Sequence, residues 1–289
     1  MELTVLRYVL AVVDEGGFTR AAESRHVTQS ALSHAIAALE REIGVRLFDR
    51  ASRTVTPTEA GEAFLRHARK AVDAADRARD EAVATAGEIR GVLRIGVIPT
   101  VTAVDLPAAL RSFRREHPHA RVELTMGNSD QHVPAVRAGR LDVALLGLRE
   151  GVEPTGVAVR VLSRARLVMA VDDAHPLAGR RSVTLDELRG ESFADFPAET
   201  SGRQQSDHAF AAAGITRDVA FESATADLIL DLVRVGLAVA LLPAGVVSQV
   251  PGVEAVEVED GPMRTEYAVW HAREPRAAAR AFLPYLGVR

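Results

Sequence analysis

The sequence predicts an α/β protein built as a mainly helical head with two short strands, a long helix behind it, and a larger region of alternating strands and helices. Three observations carry this prediction. Apolar residues recur at helical spacing through residues 2–43. A heptad of small residues runs through residues 64–82. From residue 92 onward, short apolar runs of strand length alternate with helical patterns.

The head is read element by element. Leu3, Leu6, Leu10 and Val13 predict one amphipathic helix over 2–14, ended by Gly16-Gly17. A short helix follows at 19–24, where Ala21 and Ala22 are small enough for close helix contact. Arg25-His26-Val27 makes a tight connection. Thr28 then stands where a side-chain oxygen accepts from a free N–H of the next helix. Leu32, Ile36, Leu39 and Ile43 form that helix's apolar stripe, and Gly44 sits where a left-handed C-terminal cap belongs. Residues 45–56 read as two short strands around 49–53. Thr56-Pro57-Thr58-Glu59 reads as a capping box with proline at the first helical position.

The long helix is expected over 57–86. Phe64, Ala68, Ala71, Ala75, Ala78 and Ala82 recur in a 4-3 rhythm. Small seam residues let two helices approach closely, so the helix reads as a dimerisation element. The alternative is a solvated helix packed on its own chain. Gly87 and Gly91 mark a hinge. Beyond it, strands are expected at 92–97, 122–126, 143–148, 157–162, 166–171, 238–242, 253–258 and 266–271. Helices are expected at 105–116, 131–138, 184–189, 203–213, 224–235 and 275–286. The strands read as mostly parallel.

Composition excludes several chemistries. The chain has 289 residues, 47% of them hydrophobic and 26% charged, which suits two or three soluble domains. It has no cysteine, so disulfides and thiolate chemistry are out. Its single lysine, Lys70, follows no Gly-rich loop, which excludes a P-loop. No carboxylate pair, Gly-x-Ser-x-Gly elbow or HExxH motif points to catalysis, and no cofactor is expected. His117-Pro118-His119 lacks the further ligands a metal needs and reads as a surface loop. No signal peptide or apolar run of membrane length is visible, so a cytoplasmic location is expected.

The head contains the constellation of a winged helix-turn-helix. Two helices joined by a tight turn leave the second free to enter a major groove. Its stripe commits one face to the core. The opposite face carries Gln29, Ser30, Ser33 and His34 in the first turns, behind the Thr28 cap. A Gln pairs bidentately with adenine, and each good base contact discriminates by roughly 1–3 kcal/mol. Arg50 and Arg53 lie on the turn between the two short strands, a wing placed for phosphate or the minor groove. Residues 1–90 hold 13 basic and 14 acidic residues. DNA contact must therefore come from placed residues and not from bulk charge.

These motifs resemble the LysR-type transcriptional regulators. The resemblance rests on Phe18-Thr19-Arg20-Ala21-Ala22-Glu23, Thr28-Gln29-Ser30-Ala31-Leu32-Ser33, Leu39-Glu40, Gly44 through Arg50, and Thr56 through Gly61. It continues through Leu93-Arg94-Ile95-Gly96, the Phe113 to Pro118 stretch, Gly139-Arg140-Leu141-Asp142, His175-Pro176-Leu177, Val233 through Leu237 and Leu242-Pro243. Family members often carry Arg and Gln after the recognition-helix serine. This chain has His34-Ala35, so two long polar contacts are shortened or lost.

The resemblance implies a head at 1–58, a linker at 59–90, and an effector domain at 91–289. The last would form two α/β subdomains like those of periplasmic binding proteins, one at 91–162 and 267–289, the other at 163–266. A small-molecule effector is expected in the cleft between them. Pro99-Thr100-Val101-Thr102 is read as opening a helix whose N–H groups and positive dipole end suit an organic anion. Ser129, Ser201, Gly202 and Thr225 also stand at strand-to-helix junctions. The implied partners are double-stranded promoter DNA, the effector, and further copies of the chain in a dimer or tetramer. Two other readings stay open. One is a small-molecule-binding protein whose DNA contact is vestigial, and the other is an enzyme. On the leading reading, Arg53→Ala weakens binding to all DNA sequences and flattens the salt slope of log affinity by about 1. An unchanged slope in a salt titration rules out the phosphate role.

Overall fold

The computed structural model describes residues 1–49 and 55–287. The chain divides into two compact units, Met1–Ala82 and Val83–Arg289.

In the first unit, α1 (Leu3–Asp14), α2 (Phe18–Ser24) and α3 (Gln29–Ile43) enclose one core. Ala21 and Ala22 are buried, which lets α2 lie close against its neighbours. His26 takes the left-handed conformation (φ 55°) in the turn between α2 and α3, a conformation in which histidine is one of the enriched side chains. Thr28 caps α3 by accepting from the Ala31 N–H at 3.2 Å. Leu32, Ile36 and Leu39 are buried, and Ile43 packs at the core's edge. Gly44 ends α3 at φ 77°, where a side chain would be strained. Glu40 then turns inward. Its Oε1 accepts from the Leu47 and Phe48 N–H groups at 2.7 and 3.3 Å, tying the end of α3 to the chain that follows.

That chain forms β1 (Phe48–Asp49), antiparallel to β2 (Thr56–Pro57). This pairing corrects the expected start of the long helix. Thr56 and Pro57 belong to the ribbon, and Thr58 is the cap. The Thr58 N–H donates to Leu47 O at 3.0 Å, and its hydroxyl oxygen accepts from the Gly61 N–H at 3.0 Å. The helix, α4, runs Glu59–Ala84. Gly61, Leu65 and Ala68 are buried, and Val72 packs on the head's core. Arg69 reaches Asp14 of α1 at 2.6 Å. The first half of α4 is thus part of the head. Of the alanine seam, Ala68 is used there, while Ala71, Ala78 and Ala82 are exposed.

The second unit contains β3 (Gly91–Val97), α5 (Leu106–Glu116), β4 (Ala120–Met126), α6 (Ser129–Arg137), β5 (Val143–Arg149), β6 (Ala158–Asp172), β7 (Ser182–Val183) and β8 (Ser192–Asp195). It continues with α7 (Ser201–Ala212), β9 (Asp218–Glu222), α8 (Ala226–Arg234), β10 (Ala240–Pro243), α9 (Ala244–Val247), β11 (Val253–Val258), β12 (Met263–Trp270) and α10 (Ala277–Phe282). The main sheet has the order β4-β3-β5-β12-β6-β11-β7, with β10 also paired to β6. Two lobes form on it. One packs Leu93, Ile95, Phe113, Leu145 and Phe282 together. The other packs Met169, Phe193, Phe210, Leu241 and Val256.

Three expectations change here. The strands expected at 157–162 and 166–171 are one strand, because β6 pairs continuously with β12 from Ala158 to Arg166 and then with β10 and β11. The strands are not mostly parallel: β6 and β12 run antiparallel to each of their neighbours, since they carry the chain between the lobes. The helix expected at 184–189 is a single 3-10 turn, Asp186–Leu188. β8, β9 and α9 were not expected at all. All are short, and β9 reads too polar for a buried strand. Glu40→Ala is expected to cost about 1–2 kcal/mol in urea unfolding, through the loss of charge-assisted bonds to two amides. An unchanged midpoint refutes this anchoring role.

Candidate functional site

Two sites emerge, one in each unit. In the head, the buried stripe of α3 sets the orientation of its other face. Gln29, Ser30 and His34 are exposed there, Ser33 is half-buried, and Thr28 sits at the helix start with its hydroxyl 3.2 Å from Ser30 Oγ. The sequence expectation for this face and the observed exposure coincide because one helical period fixes both. Arg50 and Arg53, expected on the wing, lie outside the described residues.

In the second unit, a cavity of about 560 Å³ lies between the lobes. The first lobe contributes Ile98, Thr100, Met126, Asn128 and Ser129. The second contributes Phe196, Thr200, Gly202, Gln205 and Thr225, and β12 contributes Arg264. The volume suits a small organic molecule, and the mix of apolar walls with a few polar groups is that of a ligand site. Of the effector residues read from the sequence, Thr100, Ser129, Gly202 and Thr225 line the cavity, whereas Val101, Thr102 and Ser201 are not among its lining residues.

The local reason is that the chain fills its own anion seats. Pro99 through Thr102 does not open a helix. α5 starts at Leu106, capped by the Asp105 carboxylate, which accepts from the Ala108 N–H at 2.9 Å. The Thr102 and Ala103 amides instead donate to Glu266 at 3.1 Å each, and the Thr102 hydroxyl donates to the same carboxylate at 2.7 Å. Val101 packs on the first lobe's core. The Ser201 N–H and hydroxyl both donate to Asp130, at 2.8 and 2.7 Å. The expected vacancy for an anion is therefore occupied at both places.

Arg264 is the main polar feature that sequence reading missed. Its guanidinium is buried and donates to the Thr100 hydroxyl at 2.8 Å and the Thr100 carbonyl at 3.0 Å. It lies close over Gly147, where a Cβ would come within 2.6 Å of its central carbon, so a side chain there would push the guanidinium out of place. Burial pulls its affinity for a proton down, and Glu266 at 3.7 Å opposes that. A visible signal existed: Arg264 and Glu266 stand two residues apart at the start of an otherwise apolar strand. Gln205 gave no such signal. It is buried, donates to Ser201 O at 3.1 Å, and its Oε1 has no protein partner among the described residues.

Two titratable groups stand close by. His132 is buried beneath the cavity's floor, its Nε2 3.3 Å from Val97 O, and burial holds its pKa below the ordinary histidine value. Asp195 is paired with Arg217 at 2.6 Å, and burial pushes its carboxyl up to about 6 against the pull of that guanidinium.

A helix-turn-helix head in one unit and a two-lobed α/β domain with a central cavity in the other define the class of DNA-binding regulators with a substrate-binding domain. Residues 3–62 match the model of the bacterial regulatory helix-turn-helix proteins of the lysR family, and residues 86–287 match that of the LysR substrate binding domain. The chain belongs to the LysR family of transcriptional regulators. It is 33% identical to the HTH-type transcriptional regulator TfdS of Cupriavidus pinatubonensis, over 98% of this chain and 97% of that protein. It is 33% identical to the transcriptional dual regulator GltC of Bacillus subtilis, over 84% and 81%. Among solved structures, the LysR-family regulator CbnR superposes with a TM-score of 0.71 at 26% identity, covering 99% of this chain and 98% of that one. Full-length CbnR complexed with its target DNA gives the same TM-score and identity, covering 99% of both chains.

His132 makes stability depend on pH. Its folded pKa lies below the unfolded value of about 6.5. The unfolded chain therefore binds more protons, and stability present above pH 6.5 falls as the pH drops through that value toward the folded pKa. His132→Gln is expected to flatten this fall in urea midpoints measured between pH 7.5 and 5. The comparison cancels the opposite trend of Asp195, whose raised pKa gives stability that is lost as pH rises through about 6. Parallel pH curves for the two proteins refute the assignment.

Proposed function

We propose that the chain reads promoter DNA through Thr28, Gln29, Ser30, Ser33 and His34 on α3, with Arg50 and Arg53 of the wing on the phosphates or minor groove. It is a cytoplasmic regulator on this reading, with a head at 1–58, a linker at 59–90 and an effector region at 91–289. The observation that carries the proposal is the polar first turns of α3, where Gln29, Ser30 and His34 are exposed opposite the buried Leu32, Ile36 and Leu39. CbnR, similar over its whole length, is a regulator whose structure on target DNA is known.

The cavity between the lobes is the effector site on the same reading, with Thr100, Ser129, Gly202 and Thr225 among the contacts. Arg264 supplies a buried positive charge at its wall, which supports a ligand carrying negative charge. Differential affinity of that ligand for two lobe arrangements would bias the head's DNA contacts. The exposed half of the alanine seam, from Ala71 to Ala82, supports a dimer through α4, and two such dimers would make a tetramer.

Gln29→Ala tests the head. In a binding selection on DNA from upstream of the chain's own gene, it is expected to relax preference at one operator position, by a discrimination of roughly 1–3 kcal/mol. Equal loss at every position overturns base reading by Gln29.

A further inference from the structure

The two helices that face each other across the cavity meet N-terminus to N-terminus. α6 belongs to the first lobe and α7 to the second. Each presents the positive end of its dipole and unpaired first-turn amides. Two such ends brought together repel unless an anion sits between them. The chain supplies that anion. Asp130 lies in the first turn of α6, and its carboxylate takes the first amide and the hydroxyl of α7 together. Ser201 N donates to Oδ2 at 2.8 Å, and Ser201 Oγ lies 2.8 Å from Oδ1 and 2.7 Å from Oδ2. Ser201 is only 6% exposed, so its two donors have little water to turn to if the carboxylate leaves. One further first-turn amide of each helix has a local partner: Asn128 accepts from Gln131 N in α6, and Thr200 accepts from Arg203 N in α7. Asp130 is thus a connection between lobes and not a local cap of α7.

We propose that Asp130 is a tethered ligand of the cleft, clasping the two lobes together at the α7 N-terminus and barring carboxylate ligands from that seat. The inference deepens the effector-site reading and rests on it. It places the cavity's ligand away from α7's first amide, toward the wall where Arg264 and Thr100 stand. Opening of the cleft requires release of this carboxylate from Ser201, together with the longer bond from Gln205 Nε2 on α7 to Gly147 O on β5 at 3.4 Å.

The absence of native cysteines allows a direct test on the full chain. Arg111→Cys on α5 and His208→Cys on α7 place spin labels on exposed positions of the two lobes. With the labelled chain diluted into unlabelled chain so that only pairs within one chain are read, the label distance is expected to be single and narrow when Asp130 is present. Asp130→Ala is expected to broaden and lengthen it. Sodium acetate, a free carboxylate, is expected to refill the seat in Asp130→Ala, narrowing the distribution again and raising Tm by about 2–4 °C over sodium chloride at equal ionic strength. Acetate is expected to leave the parent chain unchanged. If Asp130→Ala does not fold, Asp130→Asn, which fills the seat but loses the charge, is read by the label distance alone, which is expected to broaden. An unchanged distance distribution, or an acetate response no larger in the variant than in the parent, overturns the proposal. Neither measurement uses DNA or an added effector, so this outcome is independent of whether the cavity binds one.

Discussion

The antiparallel pairing of β6 with β12 is the constraint on which the ligand-binding unit depends. β6 is shared. Its first half pairs with β12 and its second with β10 and β11, so a single strand belongs to the sheets of both lobes. The register of β12 against β6 slips between Glu266 and Tyr267, while its pairing with β5 runs unbroken from Arg264 to Trp270. Everything at the cavity hangs from this point. Arg264 and Glu266, two residues apart on β12, fix the loop after β3 from below: one holds Thr100, and the other holds the Thr102 and Ala103 amides. A loop that would otherwise offer free donors to a ligand is thereby made part of the wall.

The same economy recurs in the head. Glu40 reaches from the end of α3 to two amides ahead of β1, and Thr58 closes the ribbon onto α4. In each case a carboxylate or hydroxyl of the chain satisfies amides that secondary structure leaves unpaired. The consequence differs by location. In the head it stiffens the frame behind α3, whose Gln29, Ser30 and His34 stay exposed. In the ligand-binding unit it removes anion seats and concentrates unspent polarity on Arg264 and Gln205.

The head was legible in the sequence almost residue by residue. Its elements are local, and one helical period decides both which residues of α3 are buried and which are exposed. The helix start at Thr58 was misplaced by two residues because the capping signal at Thr56 is equally good locally. Only the pairing of Thr56-Pro57 with Phe48-Asp49 chooses between them. The cavity was half legible. Strand-to-helix junctions marked Thr100, Ser129, Gly202 and Thr225, because such junctions gather at one end of an α/β sheet. Arg264 arrives from a distant strand with only its spacing to Glu266 as a local signal, and Phe196 and Gln205, which flank Gly202, are of residue types that announce no ligand.

The sequence by itself determined the order of elements in the head, the exposed face of α3 and the absence of thiol chemistry, since each depends on residue type and short-range period alone. Tertiary structure decided which polar groups remain available. Thr102 and Ser201 carry donors suited to a ligand, yet Glu266, 164 residues from Thr102, and Asp130, 71 residues from Ser201, claim them. Hydrogen-bond satisfaction is a property of what the fold brings within 3 Å, and sequence separation holds no record of it.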